Sequence, residues 1–434
     1  MLPLAMLALK GDLIGLYEQI GSHGDLSYVQ FLHHHVYMVK DPEDIFSVLV
    51  TDNRKMMKGQ ATHEAKRLLG EGLLTSNGDL HSRQRKLLQP TFHPDHLRRQ
   101  GAIAVRHATE LSERWEDGQT VDVGNDMMHV TLRILGDAIL DYDLSSHVHT
   151  FADALDAAVD MVEQILRPWG PMLEKLPIPV MRRFRATRER LYTVCDEIIE
   201  KKRANLNGSD DLISLMLHKQ AELGPEVLPD LQIRDELVTI ILTGHETLTQ
   251  QLTWTFYLLG RHPEFVATLQ EEIDAGIGDD VPTTAHLERL PYTEKVLLEA
   301  MRVFPPVYAL QRRNLVDYEV GGYPVPEGSI LVCSQYLMHK SDRWFEDPAR
   351  FDPSRWTDEF KESLPGMCYF PFGRGPRACI GEAFAMVEAR LLLAVLLRSW
   401  TVTGLPGEVG TVSSISLRPD SPVRVVVGRR ERPS

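Results

Sequence analysis

Residues 230–260 run without a proline, and apolar side chains recur through them at helical spacing. At 1.5 Å per residue this predicts one helix of about 30 residues, roughly 45 Å long, with Asp230 as its cap. A rod of that length crosses a whole domain, so the rest of the chain must pack around it. Much of the rest also reads as helix: residues 11–27, 41–51, 78–89, 101–166, 180–203, 212–217 and 382–400. Strand-like alternation is confined to short runs at 28–39, 318–320 and 330–334 and to the tail beyond Trp400. The expected fold class is mainly α with small β-sheets. Residues 55–75 show a mixed pattern and carry Gly59, Gly70 and Gly72, which predicts a mobile connection.

Charge and cysteine usage narrow the function classes. Lys and Arg total 47 against 61 Asp and Glu, a formal net charge of -14. That excludes a general nucleic-acid binder, because phosphate affinity needs a basic surface. Four cysteines, Cys195, Cys333, Cys368 and Cys379, lack the spacing of a disulfide framework or a zinc site, as expected in a reducing, cytoplasmic setting. The apolar residues 1–9 stop at Lys10 and Asp12, short of the roughly 20 residues that cross a bilayer. They also lack the basic start and cleavage site of a signal peptide, so no transmembrane anchor is expected. His33, His34 and His35 are adjacent in a strand-like run, where neighbours point to opposite faces; they predict a polar hairpin tip rather than a metal site.

The most pointed chemistry lies just before the last long helix, in Tyr369-Phe370-Pro371-Phe372-Gly373-Arg374-Gly375-Pro376-Arg377-Ala378-Cys379-Ile380-Gly381. Gly373, Gly375 and Gly381 permit backbone angles that side chains forbid, and Pro376 fixes the turn, so the Cys379 sulfur can be held in one direction. Backbone N–H groups of the loop and the first turn of the following helix favour negative charge on that sulfur. A thiolate so placed suits an open metal coordination position. The spacing Phe372-x-x-Gly375-x-Arg377-x-Cys379-x-Gly381 resembles the haem-binding signature of the cytochrome P450 superfamily, soluble bacterial type, and matches it at every fixed position. The resemblance implies the P450 fold, a single haem domain over residues 1–434 and haem b (iron protoporphyrin IX) as cofactor. In that family the cysteine is the axial iron ligand, here Cys379, and its electron donation favours O–O cleavage. Phe372 and Gly373 are then expected at the cofactor.

Other segments follow in the family's order. His81 and Arg85 are four residues apart and share a helical face; the resemblance assigns them to a haem propionate, with His81 where a tryptophan is common. Midway along the long helix, Thr243-Gly244-His245-Glu246-Thr247 lacks a blocking side chain at Gly244 and sets an acid beside an alcohol. Thr249 stands where a zinc-protease motif would need its second His. The segment resembles the oxygen-activating motif, which implies Gly244 over the haem and Thr247 with Glu246 in proton delivery. Glu299 and Arg302 lie one helical turn apart, and the resemblance joins them to Arg355 of Pro353-Ser354-Arg355-Trp356 in a buried network. Arg312 falls at the family's propionate-binding arginine, with Arg313 a rival one register away, and Arg377 joins the same set. Pocket walls are expected from residues 57–78, 160–185, 238–247, 307–310 and 414–417. The proline-broken Pro168-Trp169-Gly170-Pro171 resembles the family's lid.

The implied activity is haem-thiolate monooxygenation, in which one atom of O2 enters a C–H or C=C bond of a small apolar substrate and the other leaves as water. No flavin or iron–sulfur module is legible in the sequence. Electrons are therefore expected from a separate ferredoxin or flavodoxin-type donor with an NAD(P)H-dependent reductase, docking at Arg83, Lys86, Arg374 and Arg377 of an otherwise acidic monomer. The same scaffold could isomerise or dehydrate an oxygenated substrate, use peroxide directly, or bind haem ligands without turnover. The Glu246-Thr247 pair favours oxygen activation.

Overall fold

The computed structural model describes residues 12–31, 34–165, 176, 178–206 and 211–431. The apolar-periodic segments form helices α1 (Leu13–Gly21), α2 (Gln60–Leu69), α3 (Gly78–Leu88), α4 (Leu97–Arg114), α5 (Val123–Leu135) and α6 (Val148–Ile165). They continue as α7 (Pro179–Ala204), α8 (Leu212–Leu223), α9 (Asp230–Leu259), α10 (Pro263–Ile277), α11 (Pro291–Val303) and α12 (Glu382–Ser399). Their starts have local causes. Asp12, Asp122 and Asp211 accept hydrogen bonds from first-turn backbone N–H groups of α1, α5 and α8, and prolines open α7, α10 and α11 where no N–H is needed. Asp230 is not the cap of α9. Pro229 holds that place in an extended conformation and Asp230 is the first helical residue; its carboxylate accepts instead from Arg203 Nη2 at 2.7 Å.

The long helix α9 is buried on nearly every side from Ile233 to Leu259, as a central rod must be. It packs on α5, α7 and α11. A hydroxyl pair, Thr131 with Thr249 at 2.9 Å, satisfies two polar groups at the α5 crossing, and Trp254 stacks on Phe304 with ring centroids 4.0 Å apart. α4 lies against α12. A continuous apolar cluster runs through these helices and takes in Val425 and Val427 of the tail.

Strands are short: β1 (Leu26–Phe31), β2 (His34–Val39), β3 (Met56–Lys58), β4 (Gln119–Asp122), β5 (Leu310–Asn314) and β6 (Tyr318–Val320). After them come β7 (Tyr323–Val325), β8 (Ile330–Cys333), β9 (Trp400–Gly404), β10 (Thr411–Ser413), β11 (Leu417–Pro419) and β12 (Arg424–Arg429). The largest sheet has the order β1-β2-β8-β5-β3, a second has β4-β12-β9, and β6-β7 and β10-β11 are separate hairpins. The histidines fall at the expected hairpin, where Phe31 pairs with His34 and Tyr28 Oη meets His35 Nδ1 at 2.8 Å. His33 lies outside the described residues, and among those described no side-chain cluster could hold a metal ion. No described helix is long and apolar enough to cross a membrane. The expected lid at 168–171 lies outside the described residues.

Residues 55–75 correct an expectation. Instead of a mobile connection they contain β3 and α2, followed by a turn seated on α9. Glu71 N donates to Asp235 Oδ2 at 2.8 Å and Leu73 N to Glu236 Oε2 at 2.9 Å. A Cβ at Gly70 would fall 2.1 Å from the Asp235 carboxylate, and one at Gly72 would fall 2.1 Å from the Thr239 hydroxyl oxygen. The glycines that suggested looseness permit close docking instead.

Candidate active site

The segment ahead of α12 is a chain of tight turns closed by its own backbone. Gly373 N donates to Phe370 O at 2.9 Å, Ala378 N to Gly375 O at 3.0 Å and Cys379 N to Phe372 O at 2.9 Å. Gly373 and Gly375 adopt φ of +68° and +76°, where a side chain is strained. A Cβ at Gly375 would also lie 2.7 Å from Leu49 O. Gly381 departs from expectation: its φ is -96°, and a Cβ there would have ordinary room, the nearest atom being Phe92 Cε1 at 3.7 Å. Cys379 is exposed, whereas Cys195, Cys333 and Cys368 are buried. Burial nevertheless pushes its thiol up, against the lowering by the Gly381 N–H, while Glu382 adds to the rise and Arg85 opposes it.

Below this loop the predicted ion network is assembled and closed. Glu299 and Arg302 form a two-pronged pair, Nε to Oε2 and Nη2 to Oε1, both at 2.9 Å. Arg355 Nε and Asp352 N donate to Glu299 Oε1, each at 3.0 Å, and Trp356 Nε1 to Oε2 at 2.9 Å. Arg302 directs its other N–H groups to the carbonyls of His339, Pro348 and Arg350. The network reaches the cysteine loop through neighbours: Tyr369 Oη donates to Leu298 O at 2.8 Å, and Phe370 N to His339 Nε2 at 3.1 Å.

A second group gathers basic side chains, buried or half-buried. His81 and Arg312 are each 5% exposed, and Arg313, the rival register, faces solvent. Arg85 Nη1 donates to Ala378 O at 2.7 Å, and Arg377 donates to Ser76 O and to Asn77 Oδ1, both at 3.1 Å. Lys58 belongs to the same cluster although its sequence carries no motif. It pairs with Arg312 across β3 and β5, donates its backbone N–H to Asn77 Oδ1 at 3.0 Å, and donates Nζ to Leu73 O at 2.9 Å. Burial, then Arg377, Arg312 and Arg85, hold the Lys58 ammonium well below its usual range; Glu236 opposes them. Burial, then Lys58, Arg377, Arg85 and Arg312, push His81 down to about 3. Burial and Arg312 lower Arg377 to about 10. Among the described residues these side chains donate to neutral oxygens, not to carboxylates, and Arg312 Nε is buried without a partner. Such a set fits a ligand that brings its own anions, as a porphyrin with two propionates does.

In the middle of α9, Gly244 is exposed within a largely buried stretch, and a Cβ there would meet Leu135 Cδ1 of α5 at 3.0 Å, so its missing side chain also serves the packing on α5. Thr247 Oγ1 donates to Thr243 O at 3.0 Å. Glu246 is buried and turned to the β10–β11 hairpin, where Oε1 accepts from Ser416 Oγ at 2.6 Å and Arg418 Nε at 2.8 Å. The expected hairpin tip at 414–417 therefore reaches α9. Sequence reasoning missed Arg418, Lys58 and Asn77. Asn77 alone left a signal, as a polar residue just before the first turn of α3.

The chain also resembles known proteins along most of its length. The profile of the family described as Cytochrome P450 matches residues 17–421. The chain is 34% identical over 389 residues to cyclooctatin synthase of Streptomyces melanosporofaciens, covering 89% of this chain and 84% of that protein. It is 30% identical over 388 residues to cyclooctat-9-en-7-ol 5-monooxygenase of the same organism, with the same coverage of 89% and 84%. It is 31% identical over 395 residues to pentalenene oxygenase of Streptomyces avermitilis, covering 90% and 86%. A solved crystal structure of the cytochrome P450DA heme domain superposes with a TM-score of 0.83 at 27% identity, covering 97% of this chain and 93% of that one.

Proposed function

This chain belongs to the cytochrome P450 family, a haem monooxygenase, and from that premise we propose that it hydroxylates or epoxidises a small alicyclic, terpenoid-like substrate. The observation that carries the site assignment is the cluster of buried and half-buried basic side chains beside the Cys379 loop, whose hydrogen bonds among the described residues go to neutral oxygens and not to carboxylates. When bound, the haem supplies dioxygen activation and the oxidant that places one oxygen atom in the substrate. Cys379 Sγ would bind its iron, Arg85, Arg312, Arg377 and Lys58 would hold its propionates by charge-assisted hydrogen bonds with His81 in the same set, and Phe372 and Gly373 would also contact the cofactor. Glu299, Arg302 and Arg355 keep the loop's foundation rigid. Thr247 Oγ1 and the Glu246 carboxylate handle protons, and the Gly244 backbone borders the recess in which substrate lies.

The substrate class rests on two supports. Described parts of the expected walls are apolar, among them Leu73, Leu74, Val238, Leu242 and Ala309, and the names of the relatives denote an unsaturated alcohol and an unsaturated hydrocarbon. Electrons come from a ferredoxin or flavodoxin-type protein with an NAD(P)H-dependent reductase. Its docking face is formed by the exposed Arg83, Lys86 and Arg374; Arg377 is half-buried and engaged with Ser76 and Asn77, so it leaves that face. A cytoplasmic monomer with a single haem domain completes the reading. The test is spectroscopic. Protein produced with haem precursor is expected to give a ferrous carbonyl adduct with the red-shifted absorption of sulfur ligation, and an adduct without that shift refutes the role of Cys379. Pentalenene and cyclic terpenols are expected to shift the ferric spectrum and to stimulate NADPH and O2 consumption; a response only to linear fatty acids overturns the substrate class.

A further inference from the structure

Glu246 stands next to Thr247 in sequence, yet its carboxylate is claimed by another part of the molecule. Oε1 accepts from Ser416 Oγ at 2.6 Å, Arg418 Nε at 2.8 Å and Gln250 Nε2 at 3.3 Å. Arg418 uses its other end on α6, where Nη1 donates to Asp156 Oδ1 at 2.9 Å. One guanidinium thus bridges a nearly buried acid, its side chain 10% exposed, and a half-exposed one at 54%. Its root is fixed. Trp254 Nε1 donates to Leu417 O at 2.9 Å, Leu417 N donates to Pro306 O at 2.9 Å, and Tyr308 Oη donates to Ser414 O at 2.7 Å. The hairpin therefore cannot follow α6 if the distance between them changes.

We propose that Arg418 is a positioning residue for Glu246, and that through Asp156 it makes the freedom of that acid depend on the seat of α6. The cause is electrostatic. With Asp156 in place, the positive charge of Arg418 is shared between two anions and the planar fork is oriented by both. Without Asp156, Glu246 is its only anionic partner among the described contacts, and the hold on Glu246 tightens. An acid held harder toward the hairpin passes a proton toward Thr247 more slowly. The seating of α6 against the hairpin would therefore loosen the acid. This inference rests on the monooxygenase reading for its consequence, but not for its geometry.

Two measurements on the haem-loaded protein decide it. In thermal unfolding, Asp156→Asn and Glu246→Gln are expected to be non-additive in the native background and additive once Arg418→Gln is present; additivity in both backgrounds overturns the bridge. In NADPH oxidation driven by a plant-type ferredoxin and its reductase, Asp156→Asn is expected to slow the rate at least about two-fold, the lower end of coupling between contacting groups, and to enlarge the solvent deuterium isotope effect. Arg418→Gln should abolish that sensitivity to Asp156. An Asp156→Asn effect of equal size in both backgrounds, or none, overturns the positioning role. A native protein that oxidises no NADPH under these conditions counts against the monooxygenase reading, and the unfolding cycle then decides the Arg418 bridge by itself.

Discussion

Two groups of ionisable side chains, one buried and one partly buried, flank the cysteine loop, and they are finished differently. Around Glu299 the polypeptide supplies both signs: Arg302, Arg355, Trp356 and the Asp352 amide fill the carboxylate's acceptor sites, and Arg302 uses all five of its N–H donors. Around His81 it gathers basic side chains: burial and then Arg377, Arg312 and Arg85 lower Lys58, burial and Arg312 lower Arg377, and burial lowers Arg85 and Arg312. A protein leaves like charges together in its interior only where something else completes them. We read the first cluster as part of the fold and the second as the proposed haem-propionate site. Removing a member of each should therefore have opposite consequences.

The largest effect is expected in the closed cluster. Glu299→Gln keeps the shape but strands Arg302, which is fully buried, and breaking a buried pair in this way costs about 3–5 kcal/mol. Urea unfolding of the haem-loaded protein measures it, and a loss below about 1 kcal/mol would place the pair in the range of exposed pairs and break the contrast. The open cluster should respond the other way. Arg312→Gln relieves repulsion in haem-free protein and is expected to leave its unfolding midpoint unchanged or raised. In loaded protein the same change removes a charge-assisted contact, typically about 1.5–3 kcal/mol, so haem transfer to a scavenger protein should speed up at least about ten-fold. A fall in haem-free stability without faster transfer would make Arg312 an ordinary structural residue.

Two histidines sharpen the comparison, because each cluster holds one whose proton affinity is depressed to about 3. For His339 the causes are burial first, opposed by backbone at Met301, with Arg302 lowering it further; Phe370 N also donates to Nε2, which keeps that nitrogen unprotonated. Both folded values lie below the ordinary histidine value near 6.5, so between them the unfolded chain binds more protons. Stability contributed by each neutral imidazole is present above about pH 6.5 and is lost as pH falls toward 3, by up to about 1.4 kcal/mol per pH unit for each group. Haem should separate the two. Propionates beside His81 oppose the cations that depress it, so loading is expected to raise its titration and leave His339 unchanged. NMR of labelled imidazoles with and without haem reads this directly; equal behaviour of both rings would deny His81 its place at the anions.

These clusters were not equally legible in the sequence. Glu299, Arg302 and Arg355 are carried by short motifs in a fixed order, as is Cys379, so their pairing could be anticipated. Arg312 could be placed only to within one residue, because which of two neighbours turns inward depends on strand register. Lys58 was invisible for the same reason, since it meets Arg312 only through the pairing of β3 with β5. Residues 70–72 were read as loose because glycine usually signals freedom, and the carboxylate and hydroxyl that crowd them come from α9. Gly244 shows the same limit: helical spacing revealed a missing side chain, but not that Leu135 fills the space. The 30-residue length of α9 was legible because it needs only local pattern; the turn of Glu246 toward Arg418 was not, because it joins residues 172 apart.

A third set of cations, Arg83, Lys86 and Arg374, is exposed and marks the weak end of the comparison. Water screens these charges, so they should contribute little to stability or to haem retention. What they can do is attract an acidic donor over a distance set by the Debye length, about 8 Å at physiological salt and about 3 Å at 1 M. Arg83→Glu or Lys86→Glu is therefore expected to slow ferredoxin-driven reduction a few-fold at low ionic strength, with the difference vanishing near 1 M salt and the unfolding midpoint unchanged. Stopped-flow reduction across a salt series separates this from the buried clusters, whose variants should be insensitive to salt. Reduction rates untouched by reversal at low salt would move the donor to another face while leaving both interior clusters as they stand.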